Sequence, residues 1–241
     1  MLVKTKGILL NKNRFSDTSM IVHVLTQDAG KQSFLVKGVY SRNSKNRISS
    51  LELLNLLEIT AWKSSKSDLL TVRELDIWHH YHSISDDFNK KTMALFLAEF
   101  IHRTIQSPDA DVQLYHFVES SLLHFDKLEK SFSDFHLRFL SHFTKYLGII
   151  PQNDYSSQKP YFNILTASFS HIYGEDNYYF NAQSSIQLHK YLSISIMDYL
   201  EYVFPLNERN VLLDDLLRFY AYHLSHFVGL KSISVLKSVL H

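Results

Sequence analysis

Residues 20–37 read Met20-Ile21-Val22-His23-Val24-Leu25-Thr26, then Gln27-Asp28-Ala29-Gly30, then Lys31-Gln32-Ser33-Phe34-Leu35-Val36-Lys37. Two runs of β-branched and aliphatic residues flank a short polar stretch. Asp28-Ala29-Gly30 supplies the positive-φ residue that a tight hairpin needs. The stretch therefore predicts strands over Met20–Thr26 and Gln32–Lys37. Outward from it the texture repeats, with candidate strands at Lys6–Leu10, Leu51–Trp62 and Leu69–Ile77 bounded by Gly, Asn, Asp and Ser, and with no helical periodicity. Five strands in about 80 residues predict a small closed or partly closed barrel. Val39–Ser50 is polar and basic, a loop on that barrel.

After Ser83 the period changes from two to about 3.6. Met93, Phe96, Leu97, Phe100, Ile101 and Ile105 line one helical face. Further stripes follow at Leu114/Phe117/Val118/Leu122/Phe125, Phe135/Phe139/Leu140/Phe143/Leu147 and Leu188/Leu192/Ile196/Tyr199/Val203, the last ended by Pro205. A final helix is predicted from about Val211 to Val228 with Gly229 as C-cap, and Asp109 marks a helix start. Between Gly148 and Ser185 the signal lapses into Pro, Asn and aromatics, with strand-like pieces at Tyr161–Phe169 and Tyr178–Asn181. The fold class predicted is α+β: a five-stranded barrel over residues 1–80, then a mainly helical domain over 81–241 with a small β-like insertion at 151–183.

A chain of 241 residues can bury two modest cores. Hydrophobic residues at 45% and charged residues at 20% are those of a folded globular protein. No apolar run reaches the roughly 18 residues that cross a bilayer, and the start of the chain has no signal-peptide pattern, so a cytoplasmic protein is expected. The chain has no cysteine, which excludes disulfides, iron–sulfur clusters, thiolate zinc sites and a cysteine nucleophile. Its formal net charge is only +1, but residues 1–50 carry nine Lys or Arg against Asp17 and Asp28. That segment is +7 and the remaining 191 residues are −6. A basic head is joined to an acidic body.

Catalytic signatures are missing: there is no phosphate-cradling glycine loop, no dinucleotide fingerprint and no nucleophile elbow. His79-His80-Tyr81-His82 has no carboxylate or thiol at a recognised metal spacing, and reads as a joining segment. His223 and His226 lack the Glu of a zinc helix, and no metal or other cofactor is expected. Asp86-Asp87 and Asp214-Asp215 are expected at helix N-termini, where the dipole favours them. A metal-dependent nuclease lacks its carboxylate cluster, so a non-enzyme is expected.

A five-stranded barrel with cationic loops is the arrangement of an OB-fold tracking a phosphate backbone. The candidate DNA-binding residues are Lys6, Arg14, Lys31, Lys37, Arg42, Lys45 and Arg47. Each phosphate they neutralise would release counterion and make binding salt-dependent.

An ordered set of pieces resembles the RecO family of bacterial recombination mediators. They are Thr5-Lys6-Gly7-Ile8-Leu9-Leu10, Phe15-Ser16-Asp17-Thr18-Ser19-Met20-Ile21-Val22, Thr26-Gln27-Asp28-Ala29-Gly30-Lys31 and Val36-Lys37-Gly38-Val39. Arg138-Phe139-Leu140 with Leu147-Gly148-Ile149-Ile150-Pro151 follows, and then the C-terminal Tyr220, His223, Leu224, Phe227, Gly229-Leu230-Lys231-Ser232, Val235 and Leu236. The resemblance runs from end to end and implies an N-terminal OB-fold and a helical C-terminal domain. It also implies DNA repair and recombination: binding of single- and double-stranded DNA, strand annealing and loading of RecA onto strands coated by single-strand binding protein. The implied partners are RecR and the C-terminal tail of single-strand binding protein, with no membrane and no small-molecule substrate. Many members carry a four-cysteine zinc motif after the Leu-Gly-x-x-Pro segment, and this chain does not. Tyr155, Tyr161, Phe162, Phe169, Tyr173, Tyr178, Tyr179 and Phe180 supply apolar area in its place. An acidic, apolar-ended tail needs a cation beside an apolar pocket, and Arg138, Arg218 and Lys231 are the candidates. The alternative reading is an adaptor whose barrel and helical domain bind protein and not DNA.

Overall fold

The computed structural model describes residues 1–40, 50–64, 67–106, 109–198 and 203–239. The expected loop from Val39 to Ser50 therefore falls mostly outside the described residues. The chain divides into two compact units, Met1–Asp126 and Lys127–His241. The change from strand to helix falls between His79 and Phe88, so two helices are grouped with the strands.

The first unit holds β1 (Leu2–Arg14), β2 (Met20–Thr26), β3 (Gly30–Val36), β4 (Leu56–Trp62) and β5 (Leu70–His79). They close into a barrel in the order β1-β2-β3-β5-β4, an OB-fold-like ring. Neighbours are antiparallel except β3 and β5, which run parallel with Phe34 opposite Leu70 and Leu35 opposite Thr71. β1 is longer than its aliphatic run because it serves two partners. Leu2–Ile8 pairs with β4, Gly7–Arg14 pairs with β2, and a bulge between Leu9 and Asn11 bends it from one to the other. At the changeover a Cβ on Gly7 would lie 2.3 Å from Val24 Cγ1 and 3.3 Å from the Leu25 carbonyl, so only glycine fits. The β2–β3 hairpin turns at Gly30, φ 59°. The Thr26 hydroxyl locks it, donating to the Gly30 carbonyl at 2.7 Å and accepting from Ala29 N at 3.1 Å.

Leu9, Val22, Val24, Phe34, Val36, Ile59, Val72 and Leu75 fill the barrel. Ile8 and Leu10 point away from that core and are still buried, because α1 (Phe88–Thr104) packs on β1. The six residues of the predicted α1 stripe are all buried, and Asp87 is its N-cap, accepting from Lys90 N at 2.9 Å. β4 begins at Leu56, not Leu51, since Leu54 (φ 65°) turns the chain and donates its N–H to the Leu9 carbonyl. α2 (Val112–Lys127) starts after Asp111, whose carboxylate accepts from Leu114 N at 2.9 Å, so the start is not Asp109.

The second unit opens with α3 (Phe135–Phe143), prolonged by a 3-10 turn to Leu147 and stopped at Gly148, φ 72°. The expected strand Tyr161–Phe169 is a hairpin of β6 (Tyr161–Asn163) and β7 (Ser168–Ser170), turned at Ala167, φ 50°. Tyr178–Asn181 adds a short rung, with Ile164 N donating to the Tyr178 carbonyl and Phe180 N to that of Phe162. α4 (Ala182–Leu192) ends eleven residues before Val203, and Ile196 lies beyond it. Pro205 is the N-cap of α5 (Leu206–His223) and not a terminator, which shifts the final long helix about five residues toward the N-terminus. Its C-cap is Leu224 in place of Gly229, and a short α6 (Ile233–Val239) follows. Asp214 and Asp215 consequently lie inside α5 and not at its start.

In the insertion, Phe162 meets Phe169, Phe180 and Phe219 with ring centroids 5.2, 5.0 and 5.7 Å apart. Tyr155 stacks on His189 of α4 at 4.7 Å. Aromatic packing staples this segment to α4 and α5.

Candidate nucleic-acid interface

Strand register places the cations. Arg14 is opposite Met20, and Met20 is opposite Val36, so Arg14 and Lys37 emerge at the same end of three adjacent strands. Both are exposed. Between them the β1–β2 turn is tightly closed: Phe15 N and Ser16 N both donate to the Ser19 carbonyl, and the Ser16 hydroxyl accepts from Thr18 N and Ser19 N. Arg14 bends back over this turn, 3.2 Å from the Asp17 carboxylate and 3.3 Å from the Ser16 carbonyl, with its guanidinium carbon 5.5 Å from the Tyr40 ring centroid. Phe15 is 60% exposed and Tyr40 43% exposed. The sequence marked neither, although Phe15 is a lone aromatic between Arg14 and Ser16 in a wholly polar turn.

Two other predicted barrel cations, Lys6 and Lys31, do not join this patch. Lys6 lies eight residues back along β1, on the order of 25 Å for extended strand. Its ammonium sits 4.1 Å from the Trp78 ring centroid. Lys31 is committed to the fold. Its ammonium donates to the His102 carbonyl at 2.9 Å and to that of Ile105, the last carbonyls of α1, where a cation complements the helix dipole. Beside it the rings of His23 and His102 pack at a 41° tilt with centroids 5.0 Å apart. Burial and Lys31 hold His23 below its ordinary value and bring His102 down to about 4. Arg42, Lys45 and Arg47 lie outside the described residues.

A groove of about 1190 Å³ opens between the start of β1, β3 and the β4–β5 connection, floored by Val3, Phe34 and Leu70. Its rim mixes Lys4 and Lys63 with Asp28 and Asp68, so it is not a phosphate track.

The three peptide-site candidates are scattered through the second unit. Arg138 is corrected outright: it is 1% exposed, and its guanidinium donates to the carbonyls of Ser195, Ile196 and Asp198 at 3.0, 2.9 and 2.5 Å. It holds the chain that leaves α4, and no peptide reaches it. Near it Asp134 is fully buried, accepts from the Tyr191 hydroxyl at 3.0 Å and is pushed up by burial. Arg218 is half-exposed and donates to Asp215 and to the carbonyls of Asp176 and Tyr179, clamping the insertion on α5. Val211 and Tyr222 are exposed at helical spacing on either side of it. Lys231 is exposed ahead of α6.

Among the described residues no group of three or more His, Asp or Glu is placed to hold a metal ion. Among the described residues no helix is long and apolar enough to cross a membrane.

Residues 1–81 match the family model described as Recombination protein O N terminal, and residues 85–232 that of Recombination protein O C terminal. The chain is 32% identical over 243 residues to the DNA repair protein RecO of Bacteroides fragilis. It is 30% identical over 239 residues to that of Phocaeicola vulgatus and 30% over 246 residues to that of Flavobacterium psychrophilum. Each alignment covers 99% of both chains.

Proposed function

The chain belongs to the RecO family, and from that premise we propose that it is a non-catalytic mediator which binds DNA at the Arg14–Lys37 end of its barrel, anneals complementary strands and helps load RecA onto strands coated by single-strand binding protein. The observation that carries the DNA-binding reading is the shared register of Arg14 and Lys37, two exposed cations on one rim of a closed OB-like ring. Chemical continuity adds to it, because the chain after Tyr40 brings Arg42, Lys45 and Arg47. Cations spaced along a rim bind phosphates without reading bases. None of these activities requires a bond to be made, nor a cofactor, a small-molecule substrate or a membrane. The partners in this reading are single- and double-stranded DNA, RecR and the tail of single-strand binding protein, met in the cytoplasm. For the tail, Arg218 and Lys231 remain candidates, with Val211 and Tyr222 as apolar neighbours of Arg218.

Fluorescence anisotropy of a labelled oligonucleotide titrated with the protein over a range of salt tests the DNA-binding part. Affinity should fall steeply with salt, and Arg14→Ala with Lys37→Ala should flatten the slope by up to about two units. A parent protein that binds no oligonucleotide at low salt points to the adaptor instead.

A further inference from the structure

We propose that Phe15 and Tyr40 are base-stacking platforms which make the barrel rim prefer single-stranded over duplex nucleic acid. The inference rests on the DNA-binding reading above and deepens it. The two rings are the exposed aromatics at the rim that bears Arg14 and Lys37. Phe15 is not exposed through looseness of its turn: four backbone N–H groups are tied to the Ser19 carbonyl and the Ser16 hydroxyl, so the turn presents the ring without an ordering cost on binding. Tyr40 carries the Arg14 guanidinium over its ring, so one arginine links the aromatic surface to the phosphate-binding charge. Elsewhere in the barrel Phe34 is spent on the core, and Trp62, 51% exposed, pairs with Leu2 at the opposite end of β1 from Arg14, so it does not belong to this rim.

An unpaired base has two free π-faces, and a ring held beside a cation can take one of them while the cation takes the neighbouring phosphate. A base inside a duplex is already stacked on both sides and offers neither face. Cations alone would bind both forms, so discrimination between them must come from the rings.

The test compares the parent with Phe15→Ala, Tyr40→Ala and the double variant. Each is titrated into a labelled oligothymidylate and into a blunt duplex of equal length at one salt concentration. Both side chains project from the surface, and circular dichroism checks that each variant is folded. Each alanine should weaken single-strand binding roughly tenfold. Duplex binding should stay within about twofold. Phe15→Trp and Tyr40→Phe, which keep a ring, should retain single-strand affinity. Equal losses on both probes, or no loss on the single strand, overturn the stacking assignment even where Arg14→Ala and Lys37→Ala still weaken binding. A parent that binds neither probe overturns the assignment together with the DNA-binding reading beneath it.

Discussion

Lys90 of α1 closes the end of α2, and Asp126 of α2 holds the turn ahead of α1. The Lys90 ammonium donates to the carbonyls of Phe125 and Asp126 at the end of α2, at 3.0 Å each. The Asp126 carboxylate accepts from the backbone N–H groups of His82, Ser83 and Ile84 just ahead of α1, at 2.8, 2.8 and 3.0 Å. Lys90 is 2% and Asp126 4% exposed, so neither charge has water as a substitute partner. Burial pushes the carboxyl up, but the three N–H donors together outweigh it and hold Asp126 below its ordinary value. Asp126→Ala leaves three backbone donors orphaned and should cost about 3 kcal/mol in urea unfolding. Lys91→Ala, one residue along on the exposed side, should stay within about 0.5 kcal/mol. A loss below about 1 kcal/mol for Asp126→Ala would show that the three N–H groups find other partners once the carboxylate is gone.

Lys31→Met should lower stability by about 1–3 kcal/mol, because it strips the last carbonyls of α1 of their cation. Its affinity for DNA and its salt slope should match the parent's. If the slope falls by about one unit with stability intact, Lys31 contacts phosphate after all.

The His23–His102 pair sets a pH limit. With its folded-state value near 4, well under the ordinary 6.5, His102 is neutral when folded and charges first in the unfolded chain. Its contribution is therefore complete above about pH 6.5 and is lost as pH falls from there toward 4. Urea midpoints at pH 7 and pH 5 should differ less for His102→Gln than for the parent. His136, held at about 3 by burial and Arg209, contributes in the same direction and will leave a residual slope. An unaltered difference between the two midpoints counts against the pair.

Asp17 competes for Arg14 at 3.2 Å in a fully solvated pair. Pairs of this kind contribute little to folding, so Asp17→Asn should leave the melting temperature unchanged. It should tighten DNA binding about two- to fivefold at low salt, an advantage that fades as screening rises. Weaker binding would mean that Asp17 orients Arg14 and does not compete for it.

The strands were legible because aliphatic runs between turn residues have little choice: Met20–Thr26 appears to the residue as β2, and the Gly30 turn where Asp28-Ala29-Gly30 placed it. α1 was legible from its stripe and its Asp87 cap. α5 was offset because Pro205 and the pair Asp214-Asp215 each have two meanings. Proline both follows one helix and opens the next, and an acid at a helix start looks in sequence like an acid paired inside it, as Asp215 is with Arg218. Buried cations were illegible altogether. Nothing in the sequence separates Lys31, Lys90 or Arg138, which end on helix and loop carbonyls, from Lys37 or Arg14, which stay at the exposed rim, because the difference is made by segments far away in the chain. The site was half visible for the same reason: charge can be counted along the chain, whereas exposure of Phe15 and Tyr40 depends on which strand ends meet.

The parallel edge between β3 and β5 is a seam. Among the described residues it consists of Phe34 with Leu70 and Leu35 with Thr71, while β2 and β3 stay paired all the way from Met20 and Val36 to Thr26 and Gly30. A hoop built this way is mechanically anisotropic. Tension around its circumference concentrates on two rungs, so the ring can gape along one line while both hairpins stay zipped. That line of least resistance runs beside the groove floored by Phe34 and Leu70, while the rim holding Arg14 stays paired to β2.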